Sequence, residues 1–84
     1  MQQFMRKFTQ LNGKMGKVTL DHCLFGKQIF YCDRLQTIND DKKVGVLLRG
    51  NEVFVSKHDV KIVEVQDDVY KVSDGRLTIT IILK

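Results

Sequence analysis

The 84-residue sequence has few of the residues that mark disulfide scaffolds, metal sites or membrane spans. Its two cysteines, Cys23 and Cys32, are too few for a disulfide scaffold and lack the C-x-x-C spacing of a zinc site. The uninterrupted apolar runs are short, Ile81-Ile82-Leu83 being one of them, whereas a membrane span needs ~20 apolar residues. The sequence therefore predicts one small cytoplasmic domain that makes no membrane contact and keeps both thiols reduced.

Patterns typical of catalysis are also missing. The six glycines are isolated from one another, so the chain has no glycine-rich phosphate loop. His22 and Cys23 are neighbours in a predicted strand, and their side chains therefore point to opposite faces. Adjacent acids such as Asp40-Asp41 and Asp67-Asp68 are more typical of solvated turns than of a metal site. We predict a binding module with no enzymatic activity, metal or cofactor.

Acidic residues are absent from residues 1–17, which contain Arg6, Lys7, Lys14 and Lys17. In the remainder of the chain, ten basic residues are balanced by ten acidic residues. The formal net charge of +4 therefore comes from the N-terminal segment alone. A basic balance suggests a nucleic-acid partner, but here the charge is a local feature and not a property of the whole surface.

The same N-terminal segment has the periodicity of a helix. Phe4, Met5, Phe8 and Leu11 form one apolar stripe, and Asn12-Gly13 is a typical helix terminator. We therefore predict an amphipathic helix within residues 1–12.

Residues after 17 favour strands, because valine, isoleucine and threonine make up a quarter of the chain and are concentrated there. We predict a barrel over residues 17–65, with a bend near Asp33-Arg34 and a tight hairpin at Gly50-Asn51. An extra hairpin over residues 69–83 ends in a strand with one apolar face, formed by Leu77, Ile79, Ile81 and Leu83.

The predicted fold is therefore mainly β, with an N-terminal helix followed by a small, strongly bent antiparallel barrel and an extra C-terminal hairpin. SH3-like and Sm-like barrels both fit this order. An OB-type barrel is a less suitable alternative, because its helix usually lies between strands.

Three stretches carry a more specific resemblance. The helix from Gln3 to Phe8 precedes the strands; Asp40 or Asp41 is followed by the apolar strand Val44–Leu48 and Arg49; and Lys57-His58 precedes a last strand. This order resembles the Sm-like family over residues 3–65, most closely its bacterial branch, the Hfq-type RNA chaperone. Ser56 stands where that family has an aromatic residue before Lys-His, and Lys42 or Lys43 stands where it has a base-stacking aromatic residue.

The resemblance implies a homo-oligomeric ring in which an edge strand of each subunit pairs with its neighbour. It also implies that Lys57 and His58 line a pore for single-stranded, U- or A-rich RNA, and that the helix forms a basic face of the ring. The residues expected to contact RNA are Lys57, His58, Gln3, Arg6, Lys7, Lys42, Lys43 and Arg49.

Two other functions are compatible with the sequence. The chain could be a small β-barrel assembly or protein-interaction module without RNA binding, in which the apolar strand of the 69–83 hairpin makes subunit contacts. A third hypothesis is a DNA-binding barrel that uses the basic N-terminal segment.

Overall fold

The computed structural model describes residues 2–84, with side chains from residue 3 onward, and has one α-helix and eight antiparallel strands in this range. The helix α1 spans Gln2–Thr9, and the first four strands are β1 (Gly16–His22), β2 (Gly26–Cys32), β3 (Thr37–Asn39) and β4 (Lys43–Leu48). A 3-10 turn (Lys57–Asp59) follows β5 (Asn51–Ser56), and the chain ends with β6 (Ile62–Gln66), β7 (Val69–Ser73) and β8 (Leu77–Leu83). The predicted helix and the mainly β class are confirmed.

Helix α1 packs through the predicted stripe. Phe4, Phe8 and Leu11 are buried, and Met5 is partly buried against the same cluster. The helix ends at Thr9 and is followed by turns. Gly13 has a left-handed φ of 86°, which glycine tolerates because it has no Cβ to clash. Met1, which the prediction included in the helix, lies outside the described residues. Within residues 2–84, no helix has the length and apolar composition needed to cross a membrane.

The strands form two sheets. The large sheet has the order β2-β1-β8-β7-β6, and the small sheet has the order β3-β4-β5. The chain changes sheet at the predicted bend after β2, and again at the 3-10 turn between β5 and β6. The sheets do not close into the predicted barrel within residues 2–84, because no strand ladder joins β2 or β6 to the small sheet. Four strand edges are therefore left unpaired: those of β2, β3, β5 and β6.

The core combines side chains from α1 and from both sheets. Strand alternation directs Val18 and Leu20 of β1 inward, and β4 contributes Val44, Val46 and Leu48. Leu35 is 1% exposed and lies in the segment that connects the two sheets. The complete buried apolar cluster is Phe4, Phe8, Leu11, Val18, Leu20, Leu35, Val44, Val46, Leu48, Val55, Val72, Ile79 and Ile81.

The C-terminal hairpin is present, but it is central to the fold and not an addition to it. Strand β8 lies between β1 and β7, with Ile81 opposite Val18 and Ile79 opposite Leu20. Ile79 and Ile81 are completely buried, and Leu77 and Leu83 pack against the same core. The apolar face that the sequence suggested for subunit contacts is therefore inside the molecule and unavailable to a partner.

Gly45 allows β5 to pass unusually close to β4. A Cβ added at this position would lie 2.5 Å from Cα of Phe54 and would overlap the carbonyl oxygen of Val53. Gly45 is buried and is the cross-strand partner of Phe54. No side chain on β4 therefore stands opposite Phe54.

Ile81→Ala tests the central position of the hairpin. Removing a completely buried side chain from the middle of the large sheet should lower the free energy of unfolding by about 2–5 kcal/mol, measured by urea denaturation. Thr80→Ala, on the outer face of the same strand, should lower it by less than about 1 kcal/mol. Equal, small effects of both substitutions would show that the hairpin is not part of the core.

Candidate functional site

Three of the residues predicted to contact RNA lie around one groove. The turn between β3 and β4 provides Lys42, and the 3-10 turn after β5 provides Lys57 and His58. These turns are adjacent because Lys43 is paired with Ser56 across the small sheet, and the backbone N–H of Lys57 donates to the carbonyl of Lys42 at 2.8 Å. The groove has a volume of about 440 Å³ and is lined by Asp41, Lys42, Ser56, Lys57 and His58.

Asp40 holds one side of this groove in place. Its Oδ1 accepts hydrogen bonds from the backbone N–H groups of Lys42 and Lys43, both at 2.8 Å. These bonds, followed by the positive charges of Lys43 and Lys57, lower the pKa of the Asp40 carboxyl below its ordinary value. Asp40 is therefore a turn-forming residue. Residues 2–84 contain no cluster of three or more His, Cys, Asp or Glu side chains suited to a metal ion.

Lys43 is engaged within the small sheet. Its Nζ lies 2.7 Å from Oε1 of Glu52, and this hydrogen bond is the main reason that the pKa of Lys43 is raised. The same ammonium lies 4.7 Å from the centroid of the Phe54 ring, within the range of a cation–π contact. Lys43 therefore shields part of Phe54 and is less available than Lys42 to an external anion.

Phe54 adds an aromatic surface that the sequence analysis missed. The side chain is 43% exposed and lines a second groove of about 520 Å³, which shares Asp41, Lys42 and Ser56 with the first. Strand alternation could have predicted this placement only if Val55 were known to be buried, because a buried Val55 requires Phe54 to face outward. In the apolar run Val53-Phe54-Val55, alternation alone does not say which residue is buried. The two grooves together are called the small-sheet groove below.

Arg49 lies away from the small-sheet groove, at the opposite end of the β4–β5 hairpin. Arg49 and Gly50 form the hairpin turn with positive φ values of 52° and 81°, one residue earlier than predicted. Since a strand rises ~3.3 Å per residue, six-residue strands separate Arg49 from Lys43 by roughly 17–20 Å. The guanidinium of Arg49 lies 5.6 Å from the centroid of the Phe30 ring.

The three predicted contacts on α1 are exposed but do not line the groove. Gln3, Arg6 and Lys7 are exposed residues outside the buried stripe of the helix, and none of them lines either part of the groove. The helix is linked to the groove through β3, because Nδ2 of Asn39 donates to Oγ1 of Thr9 at 2.8 Å and to the carbonyl of Met5 at 3.2 Å. The structure therefore separates the predicted residues into a groove set and a helix set, with Arg49 in neither.

The formal charges around the small-sheet groove are balanced. Lys42, Lys43 and Lys57 are offset by three carboxylates, those of Asp40, Asp41 and Glu52. A ligand of this groove therefore gains little from net charge and must depend on contacts with particular groups. The available groups are the Phe54 ring, the Ser56 hydroxyl, the His58 imidazole and the ammonium groups.

Asp40→Asn tests the role of the Asp40 carboxylate. A lowered pKa in the folded state stabilises the fold above the ordinary value of 3.8, and this contribution is lost as the pH falls through the lowered pKa. Asparagine keeps the acceptor oxygen but does not ionise, so the stability of Asp40→Asn should fall less steeply in acid. The measurement is the urea midpoint between pH 7 and pH 2.5. Asp41→Asn is the matched control, because the Asp41 carboxylate accepts no hydrogen bond among the described residues; an unchanged acid profile for Asp40→Asn would contradict the assignment.

Comparison with known proteins identifies no relative. The chain matches no protein-family model, no curated protein and no solved structure.

Proposed function

We propose that the chain binds single-stranded, U- or A-rich RNA in the small-sheet groove as the subunit of an Sm-like homo-oligomeric ring. RNA chaperone activity would be one use of such binding. The observation that carries the proposal is an exposed aromatic ring that shares a groove with Lys42, next to the adjoining groove lined by Lys57 and His58. The resemblance over residues 3–65 suggested the basic residues, and the fold adds the aromatic surface.

Phe54 supplies a surface on which a base can stack. The family has an aromatic residue for this purpose at the position where this chain has Lys42 or Lys43. A nucleobase stacked on an aromatic side chain contributes ~1–3 kcal/mol, with little dependence on the base. Ser56 and His58 offer hydrogen-bonding groups to base edges along the same groove, and Lys42 and Lys57 offer cations to the flanking phosphates. This combination suits a strand whose bases are unstacked and accessible.

Charge balance favours single-stranded RNA over duplex DNA. Duplex binding depends mainly on neutralising phosphates, and affinity then falls steeply with salt. The small-sheet groove has no formal excess of positive charge, whereas stacking on Phe54 requires a base that has left a duplex. The DNA-binding hypothesis would rest on the N-terminal segment alone, where Arg6 and Lys7 are exposed.

Two unpaired edges support the ring. Strand β5 is an edge of the small sheet and β6 is an edge of the large sheet, and only the segment containing Lys57–Asp59 separates them along the chain. Pairing β5 of one subunit with β6 of the next is a head-to-tail contact, which produces a ring when its rotation closes. Each such contact would lie beside one copy of Lys57 and His58, and several copies acting on one RNA strand would increase its affinity.

The assembly-module hypothesis is now favoured by exposed apolar side chains near β2, and no longer by the 69–83 hairpin that first suggested it. The apolar strand of the 69–83 hairpin is buried, but Leu24 and Phe25 are both 80% exposed and Tyr31 is 79% exposed. These residues belong to β2 and the turn before it, not to the small-sheet groove.

Binding of oligo-U and oligo-A should be tighter than binding of duplex DNA, measured by fluorescence polarisation at two salt concentrations. Phe54→Ala should weaken RNA binding by about 5- to 100-fold, which corresponds to loss of one stacked base. Lys57→Ala with His58→Ala should also weaken it. Arg49→Ala is the control, because Arg49 lies outside the groove; tighter binding to duplex DNA, or equal losses in all the variants, would contradict the proposal.

Native mass spectrometry and sedimentation velocity test the ring. The expected mass is at least three times the subunit mass of 9.7 kDa, and Lys57→Ala with His58→Ala should leave it unchanged. A strictly monomeric protein would overturn the ring. Loss of assembly in the double variant would instead show that Lys57 and His58 support the contact between subunits.

A further inference from the structure

We propose that a second copy of this chain pairs with the free edge of β2, antiparallel and about a two-fold axis at Phe30. The contact joins the large sheets of the two copies into one continuous sheet. It goes beyond the proposed function and uses none of the residues in the small-sheet groove.

Most of the β2 edge lacks the features that usually prevent strands from pairing with another chain. Proteins protect such edges with short strands, charged side chains, proline or bulges. Strand β3 has only three residues, β5 contains Glu52 and β6 contains Glu64. Strand β2 has seven residues; its charged residue, Lys27, lies near its start, and the five residues from Gln28 to Cys32 form an uncharged stretch. Among the four edges in residues 2–84, β2 therefore has the longest uncharged stretch.

Exposed apolar side chains are concentrated on and beside this edge. Ile29 and Tyr31 are 49% and 79% exposed on the outer face of the large sheet. Within the sheet, the cross-strand neighbour of Ile29 is Thr19 and that of Tyr31 is Lys17. Neither neighbour covers the apolar side chain beside it well. Of the eight large apolar side chains that are exposed, five lie between residues 15 and 31: Met15, Leu24, Phe25, Ile29 and Tyr31. A partner strand along β2 would cover Ile29 and Tyr31 directly.

The sequence around Phe30 is complementary to itself. In an antiparallel pair centred on Phe30, Lys27 faces Asp33 of the partner subunit, and Ile29 faces Tyr31 of the partner subunit. Both pairs occur twice because the contact is two-fold symmetric. A centre at Ile29 would place Lys27 opposite an apolar residue, Tyr31, and would lose both charge pairs. Charge complementarity therefore selects Phe30 as the centre and a second copy as the occupant.

Lys27 and Asp33 are available for this contact. Both are exposed, and neither takes part in an ion pair within the described residues. The ion pair in that range joins Lys43 and Glu52. Lys27 has Asp21 as its cross-strand neighbour on β1, so in the pair it would lie between two carboxylates. The carboxylate of Asp33 lies near the Cys32 thiol and helps to raise its pKa, after the larger effect of burial.

The β2 contact does not compete with the ring. Strands β2 and β6 are the opposite edges of the large sheet, and β5 belongs to the small sheet. One copy can therefore pair through β2 while its β5 and β6 edges remain available to other subunits. For this reason the two proposals can fail separately.

Disulfide trapping tests the pairing and its register. Gln28 faces Cys32 of the partner subunit in the proposed pair, where opposite Cα atoms are ~4.5–5.5 Å apart and within disulfide range. Gln28→Cys in a Cys23→Ser background should therefore give mostly covalent dimer on a non-reducing denaturing gel after mild oxidation at low micromolar concentration. Ile29→Cys in the same background is the control, because its cysteine faces Tyr31 of the partner subunit. Little dimer from Gln28→Cys, or equal yields from both variants, would overturn the proposal.

Charge reversal provides an independent measurement by sedimentation equilibrium. Asp33→Lys should weaken self-association through β2 by about tenfold, because both symmetric ion pairs become repulsive, and adding Lys27→Glu should restore most of it. Circular dichroism should show that each variant remains folded. An unchanged association constant for Asp33→Lys, or no rescue by the double variant, would contradict the register. The affinity of the covalent dimer for oligo-U should equal that of the parent, which separates this contact from RNA binding.

Discussion

The backbone of Leu35 is hydrogen-bonded on both sides to the loop that follows α1. Its carbonyl accepts from the N–H of Gly13 and its N–H donates to the carbonyl of Lys14, each at 2.7 Å, while its side chain is 1% exposed in the core. The next residue, Gln36, accepts from the N–H of Leu47 at 2.8 Å. These bonds fix the point at which the chain leaves the large sheet and enters the small one. Because they also hold the end of α1, the helix and both sheets share one junction.

The small-sheet groove and the free edge of β2 both lie on parts of the chain that this junction positions. When the chain turns away at Leu35, β2 has β1 on one side and no strand on the other, so it becomes an edge of the large sheet. The chain that continues into β3 and β4 carries the Asp40 turn to the end of the small sheet, next to Lys57.

The local features of the fold could be predicted from the sequence, whereas strand pairing could not. The stripe containing Phe4 and Phe8, the bend after Cys32 and the hairpin turns each follow from residues within a few positions of one another. The central place of β8 depends on pairing Ile81 with Val18, which are distant in the chain, and alternation in either strand does not specify a partner. The same limitation explains why the hairpin was predicted as an extra element. Arg49 was grouped with Lys57 by the family resemblance alone, although the predicted β4–β5 hairpin already places a whole strand between them.

Under the proposed function, the distribution of charge divides two tasks between two parts of the chain. The charges around the small-sheet groove are balanced, so the proposed contacts with RNA would depend on Phe54 and on local hydrogen bonds, which act only at short range. The uncompensated charge of the chain lies in residues 1–17, where Arg6 and Lys7 are exposed on α1 and linked to the groove through Asn39. Electrostatic attraction acts over a Debye length of ~8 Å at physiological salt, farther than any stacking contact. In the proposed ring, the helix would attract the polyanion and the groove would hold its bases, and repetition around the ring would multiply both effects.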